Sequence, residues 1–209
     1  MASSDLRPRS AALLTAALLT LTATPAPAGA PVLHLHSTRG ELATLPQLLA
    51  RADATVFVFW SAGCPCVRRY QGRVDALAEA WASRGVAFVE VSSNADETLD
   101  TLRAAETARG LRRPLWRDEH GALAQHLGAR STPTVVLVRR DGVVLFRGWF
   151  DNERLPGEAD RKPWLEDALA GFRDGARFAA SSRTWGCRIT RALAEPAADC
   201  HAPPEGGDR

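Results

Sequence analysis

Apolar and polar positions along the chain follow two rhythms, and the rhythm changes at glycines and prolines. Val32–His36 alternates with period two and predicts a short edge strand. Glu41–Ala52 places apolar side chains at 42, 45, 48 and 49, a helical spacing interrupted by Pro46. Thr55–Trp60 (TVFVFW) is a continuous β-branched and aromatic run, which suits a strand covered on both faces. After a turn over Ser61–Cys66, Val67–Arg84 sets Val67, Tyr70, Val74, Leu77, Ala78 and Trp81 on one helical face. Gly85 ends that helix, and Val86–Val91 predicts a second strand. Residues 95–109 predict another amphipathic helix, with Leu99, Leu102 and Ala105 on one side. Leu115-Trp116 is a short extended piece, and Ala122–Leu127 a short helix stopped by Gly128. Val135–Arg140 and Val143–Phe150 are strand runs separated by Asp141-Gly142, which predicts a type I′ hairpin. Pro163 opens a last helix with Trp164, Leu165, Ala168, Leu169 and Phe172 on one face. Beyond Gly175 the pattern is irregular, and His201–Arg209 predicts a disordered end.

Alternating strands and helices predict an α/β layer structure with a central mixed sheet, to which the hairpin adds an antiparallel edge. The first residues lie outside it. Arg7 and Arg9 precede an apolar run over 11–23, too short to span a bilayer, and Ala26-Pro27-Ala28 is a small-residue cleavage pattern. The expected organisation is a signal peptide over 1–28, one domain over 29–175, and a cysteine-containing extension over 176–209. A periplasmic or secreted protein follows, in a compartment that permits disulfides. Contact with a membrane is expected only through an uncleaved signal segment.

Composition adds exclusions. The 209 residues are 45% hydrophobic and 24% charged, which is ordinary for a globular chain. With 26 basic and 24 acidic residues the net charge is only +2, so no nucleic-acid partner is expected. No Gly-rich phosphate loop and no hydrolase motif is present, and no dissociable cofactor is called for.

The chemistry concentrates in Trp60-Ser61-Ala62-Gly63-Cys64-Pro65-Cys66, between a buried strand and a helix start. A thiol at a helix N-terminus meets free N–H groups and the positive end of the dipole, which favours thiolate. Arg68 and Arg69, in the first turn, are expected to add positive field. Thiolate is the nucleophile of disulfide exchange. The plain alternative is two inert cysteines in a turn.

FVFWSAGCPC resembles the active-site strand and turn of the thioredoxin superfamily. Thr132-Pro133-Thr134 is similar to that fold's cis-proline loop. Pro114–Asp118 with Gly121–Ala124 and Gly128, and Arg147-Gly148 with Asp151-Asn152, resemble segments of TlpA-like and redoxin (AhpC/TSA-type) proteins. The resemblance spans about residues 40–172. It implies a thioredoxin-like three-layer fold and thiol–disulfide exchange with protein partners in the cell envelope, fed by an unidentified electron donor or acceptor. It also implies that Cys64 attacks and that Thr132 and Pro133 dock a partner's backbone; Cys66 is expected to resolve the mixed disulfide, and Trp60 to shield the site where the partner docks.

Departures from the family pattern matter as much. The usual pair is C-x-x-C; here Val67 holds the last position and the second thiol is Cys66. A disulfide across C-P-C would be strained and easily reduced. Val58 stands where thioredoxins carry a buried acid. Glu90, on the neighbouring strand, is a weak substitute; a solvated or edge acid is the plainer reading.

Cys187 and Cys200 remain. Their plain reading is a disulfide with each other, which closes a short loop. The sharper reading lets Cys187 reach back and resolve Cys64 or Cys66. Two further activities stay open. Copper-carrying SCO-like proteins use two cysteines and a histidine in the loop beyond the proline strand, but here that loop holds Arg139, Arg140 and Asp141 and no histidine, and no metal site is expected. Peroxiredoxins carry P-x-x-x-T-x-x-C, where this chain has Phe57 and Ser61.

Overall fold

In the computed structural model, residues 31–152, 160–174, 180–182 and 186–190 are described. The expected signal peptide, Cys200 and the expected disordered end lie outside these residues.

The chain starts with β1 (His34–Ser37) and β2 (Leu42–Thr44), an antiparallel pair. The helical spacing expected from Glu41 therefore begins as a strand. Helix α1 covers only Leu45–Leu49. Pro46 does not interrupt it. It sits in the first turn, where a missing N–H costs nothing, behind a Thr44/Gln47 capping box. Strand β3 (Ala54–Phe59) leads to α2 (Pro65–Ala82), then β4 (Val86–Ser92) and α3 (Leu99–Arg109). Then come β5 (Leu115–Arg117), α4 (Ala122–Leu127), β6 (Ser131–Thr132), β7 (Thr134–Arg139) and β8 (Val144–Gly148). Helix α5 (Trp164–Arg173) closes the domain. The tail beyond it, expected to be irregular, contributes two short strands, β9 (Ala180–Ser181) and β10 (Cys187–Arg188).

Eight strands form one mixed sheet in the order β2-β1-β5-β4-β3-β7-β8-β9. β3 runs parallel to β4 and antiparallel to β7. Every residue of β3 is buried, as a strand covered on both faces requires. Its side chains alternate between two cores. Val56 and Val58 join Val67, Tyr70 and Val74 of α2 and Leu165 and Leu169 of α5. Phe57 and Phe59 join Leu45, Leu48 and Leu49 of α1 and Leu123 and Leu127 of α4. The result is the three-layer thioredoxin-like arrangement, helices on both faces of a central sheet.

The hairpin forms, but not with a type I′ turn. That turn needs positive φ at both central residues, and only Gly142 has it, at 89°. Gly142 N donates to Arg139 O and Arg139 N to Val143 O, each at 2.9 Å. This is a three-residue loop with glycine in the left-handed position, the next commonest hairpin solution. A register shift between Leu137 and Val138 accompanies it.

Candidate active site

The turn after β3 delivers Cys64 to the N-cap of α2, with Pro65 opening the helix. The peptide bond Thr132-Pro133 is cis. It carries the Thr132 carbonyl to the thiol: Cys64 Sγ donates to Thr132 O at 3.2 Å. β6 in turn pairs antiparallel with β10, which sets Cys187 opposite Thr132. The sulfurs of Cys64, Cys66 and Cys187 all lie within 4.8 Å of one another, and all three residues are buried. None of the three is in a disulfide.

The Cys64 thiol is pulled down from an ordinary 9.0 to about 6. The largest cause is a hydrogen bond from the Cys187 thiol. Burial opposes it, and the Thr132 side chain and the Val67 amide of the first helical turn lower it further. The bond to the Thr132 carbonyl favours the protonated form, and the donors outweigh it. Cys187 is pushed the other way, by its bond to Cys64 and by burial. One thiol of the pair is thus held as thiolate and the other as its proton-bearing donor.

Two measurements check this. Thiolate ultraviolet absorbance should titrate near pH 6 in the reduced protein, and Cys187→Ala should move that transition upward. At a thiol pKa of about 6, roughly 90% is thiolate at neutral pH, against about 1% at the ordinary value. Stability should follow with a definite sign. The unfolded thiol binds its proton below pH 9 and the folded one only below about 6. Stability should therefore rise between these pH values and fall as pH drops through the folded value. A Cys64→Ser chain should lose that slope in denaturant melts.

Arg68 is exposed and Arg69 leans over the Tyr70 ring at 5.9 Å. Neither is among the groups that lower Cys64. The cation electrostatically coupled to Cys64 is Arg109, at the end of α3, which the sequence reading missed. Its guanidinium lies 4.7 Å from the Trp60 ring centroid and donates to the Ala62 carbonyl. Trp60 itself is fully buried, with its indole N–H on Gln71 Oε1 at 3.1 Å. It packs beneath the turn and offers no surface for docking. The Thr132 carbonyl lies against Cys64, and the Thr132 backbone is already paired with Cys187.

Glu97 is the second residue missed. From the loop before α3, its carboxylate accepts Ser61 Oγ and Ala62 N, each at 2.7 Å, and also Ser92 Oγ. A buried carboxylate thus ties the active-site turn to the end of β4. No motif marks it; an acidic residue before a helix reads simply as part of its first turn.

Glu90 corrects the plainer expectation. It is not solvated: it is 1% exposed, in register with Val58, under α2. Gln71 Nε2 donates to it at 3.1 and 3.2 Å, and Arg113 pairs with it at 2.5 Å. Burial pushes its carboxyl up, against the pull of Arg113. Gln71 joins it to Trp60, so an acid does lie beneath the active-site turn, one strand over from Val58.

The AhpC/TSA family model matches residues 28–147. The chain belongs to the AhpC/TSA family. No curated protein matches it. Among solved structures, this redoxin resembles a hypothetical protein of Sinorhizobium meliloti, at 26% identity and TM-score 0.66 over 77% of this chain and 91% of that one. It also resembles an uncharacterized conserved protein of Geobacillus kaustophilus, at 25% identity and TM-score 0.67 over 83% and 94%. The thioredoxin domain of a thiol-disulfide oxidoreductase from Bacteroides vulgatus shares the fold at 16% identity and TM-score 0.51, over 72% and 99%. Redoxins are oxidoreductases of the thioredoxin fold. No helix among the described residues is long and apolar enough to cross a membrane.

Proposed function

We propose that this redoxin is a thiol–disulfide oxidoreductase, exported to the cell envelope, that exchanges disulfides with protein partners through Cys64. The carrying observation is a cap thiol drawn down to about 6 beside two further thiols. A thiolate there attacks a partner disulfide and forms a mixed disulfide. A second thiol then attacks Cys64 Sγ and frees the partner. Cys66 is the resolving thiol nearest in the chain; Cys187 is the one brought in by the fold.

The test is capture. A chain with Cys66→Ser and Cys187→Ser, incubated with oxidised glutathione, should stop as a glutathione adduct on Cys64, seen by mass. Absence of any adduct overturns the proposal.

A second reading is favoured by the clustering of the sulfurs. Three thiolates around one soft cation at about 2.3 Å stand about 4 Å apart, and these three lie within 4.8 Å of one another. Soft thiolates select Cu(I). If copper delivery is the function, the reduced protein binds a single equivalent of Cu(I) against a chromogenic competitor, and Cys66→Ser and Cys187→Ser each weaken it. Binding no tighter than that of a Cys64→Ser chain overturns this reading.

A further inference from the structure

The residues that close over Cys64 come from the chain's own tail. β10 pairs antiparallel with β6, Cys187 against Thr132 and Arg188 against Ser131. An extended peptide joins a free strand edge in this way, with main-chain bonds giving affinity. The tail segment is fastened at several points. Ile189 N donates to Arg130 O at 2.9 Å, and Ala95 N to Thr190 O at 2.9 Å. Thr190 N donates to Asn94 Oδ1 at 3.0 Å, and Thr190 Oγ1 to Asp96 Oδ1 at 3.1 Å. The Ile189 side chain is buried with Ala124 and Ala129 in the second core. Gly186 makes the close approach possible. Its φ is 119°, and a Cβ there would stand 2.3 Å from Thr132 O.

Docking has a chemical consequence. Cys64 is 1% exposed and Cys66 fully buried, so a partner's disulfide has no direct path to either sulfur. The thiol that touches Cys64 is Cys187, and it carries the proton that the pair retains.

We propose that residues 186–190 are a resident partner strand: they fill the edge of β6 that an incoming cysteine-bearing strand would use, and they present Cys187 as the thiol that closes a disulfide with Cys64. This rests on the exchange reading of Cys64. Release of the strand exposes Cys64, whose thiolate attacks one sulfur of the partner disulfide and expels the other as thiolate. When the strand returns, Cys187 gives up its proton and attacks Cys64 Sγ, and the mixed disulfide breaks. Cys64–Cys187 is now the disulfide. The partner leaves with two thiols, having gained two electrons from the pair and two protons, one of them from Cys187 and the other from solvent. The same steps reversed oxidise a dithiol. Recognition through a backbone ladder selects partners whose cysteine lies in an exposed, extended segment, as Cys187 itself does.

Two measurements test this on the full chain. The protein is equilibrated across a glutathione redox series, quenched in acid, alkylated and mapped by mass spectrometry. Cys64–Cys187 is expected as the first disulfide to form. In the reduced protein, Gly186→Ala is expected to speed alkylation of Cys64 by on the order of tenfold or more, because the open population rises. The proposal is overturned if Cys64–Cys66 closes while Cys187 stays alkylatable, or if Cys187 is tied to Cys200 throughout. It is overturned equally if Gly186→Ala leaves the alkylation rate unchanged. A Cys64 that enters no disulfide at any ratio defeats the exchange reading itself, which is a different result.

Discussion

Replacing Cys64 by Ser should reduce disulfide exchange to the uncatalysed background, a loss of at least about a thousandfold, because a thiolate is the nucleophile and a hydroxyl cannot form the mixed disulfide. The measurement is the rate of glutathione adduct formation, or of reduction of a disulfide peptide, at neutral pH. The contrast with the other two cysteines makes the result specific. Cys66→Ser keeps the attacking thiolate and should still form the adduct. Cys187→Ala should form it more slowly at neutral pH, because Cys64 loses the hydrogen bond that does most to hold it as thiolate. Above the ordinary thiol value of 9.0 that penalty should vanish. Exchange that survives Cys64→Ser would place the nucleophile elsewhere.

Glu97→Ala should be the most damaging change outside the cysteines. The carboxylate satisfies Ser61 Oγ, Ala62 N and Ser92 Oγ in a buried site and lies in the field of Arg109. Hydrogen bonds to a charged group contribute about 1.5–3 kcal/mol each, and a buried group left unpaired costs its desolvation as well. A loss of roughly 3–5 kcal/mol is expected, which for a chain of this size lowers Tm by roughly 10 °C. Glu97→Gln keeps one acceptor and should fall between. The turn holds Cys64 at its cap position, so the thiolate titration of the alanine chain should also shift upward from about 6. A Tm within a degree or two of the parent, with an unchanged titration, would show that Glu97 does not hold the turn.

Much of the fold was legible because its signals are local. The TVFVFW run needed only its own composition to announce a strand covered on both faces, and β3 is buried throughout. The apolar spacing of α2 and the Gly128 stop of α4 appear where they were expected. Errors came where two local rules competed. Leu42, Leu45, Leu48 and Leu49 fit a helical period, but β1 offers Leu42–Thr44 a strand partner, and the helix waits for the Thr44 cap. Asp-Gly supports more than one hairpin loop, and the three-residue loop that formed is accompanied by a register shift between β7 and β8.

By itself the sequence determined an α/β chain of the redoxin kind and put a thiol at the mouth of a helix. It did so because periodicity, caps and the C-P-C turn are written in neighbouring residues. It could not decide what surrounds that thiol. The groups that lower Cys64, brace its turn and couple to its charge are Cys187, Glu97 and Arg109. They stand 123, 33 and 45 residues further along the chain. Arg68 and Arg69 are near in sequence, yet Arg68 is exposed and Arg69 lies over the Tyr70 ring, because successive helical residues face different sides. Only the pairing of β10 with β6 brings Cys187 back, and only the packing of α3 beside the turn brings Arg109 over Trp60. Those contacts are long-range, set by burial and by backbone pairing between distant segments, so tertiary structure alone decided them.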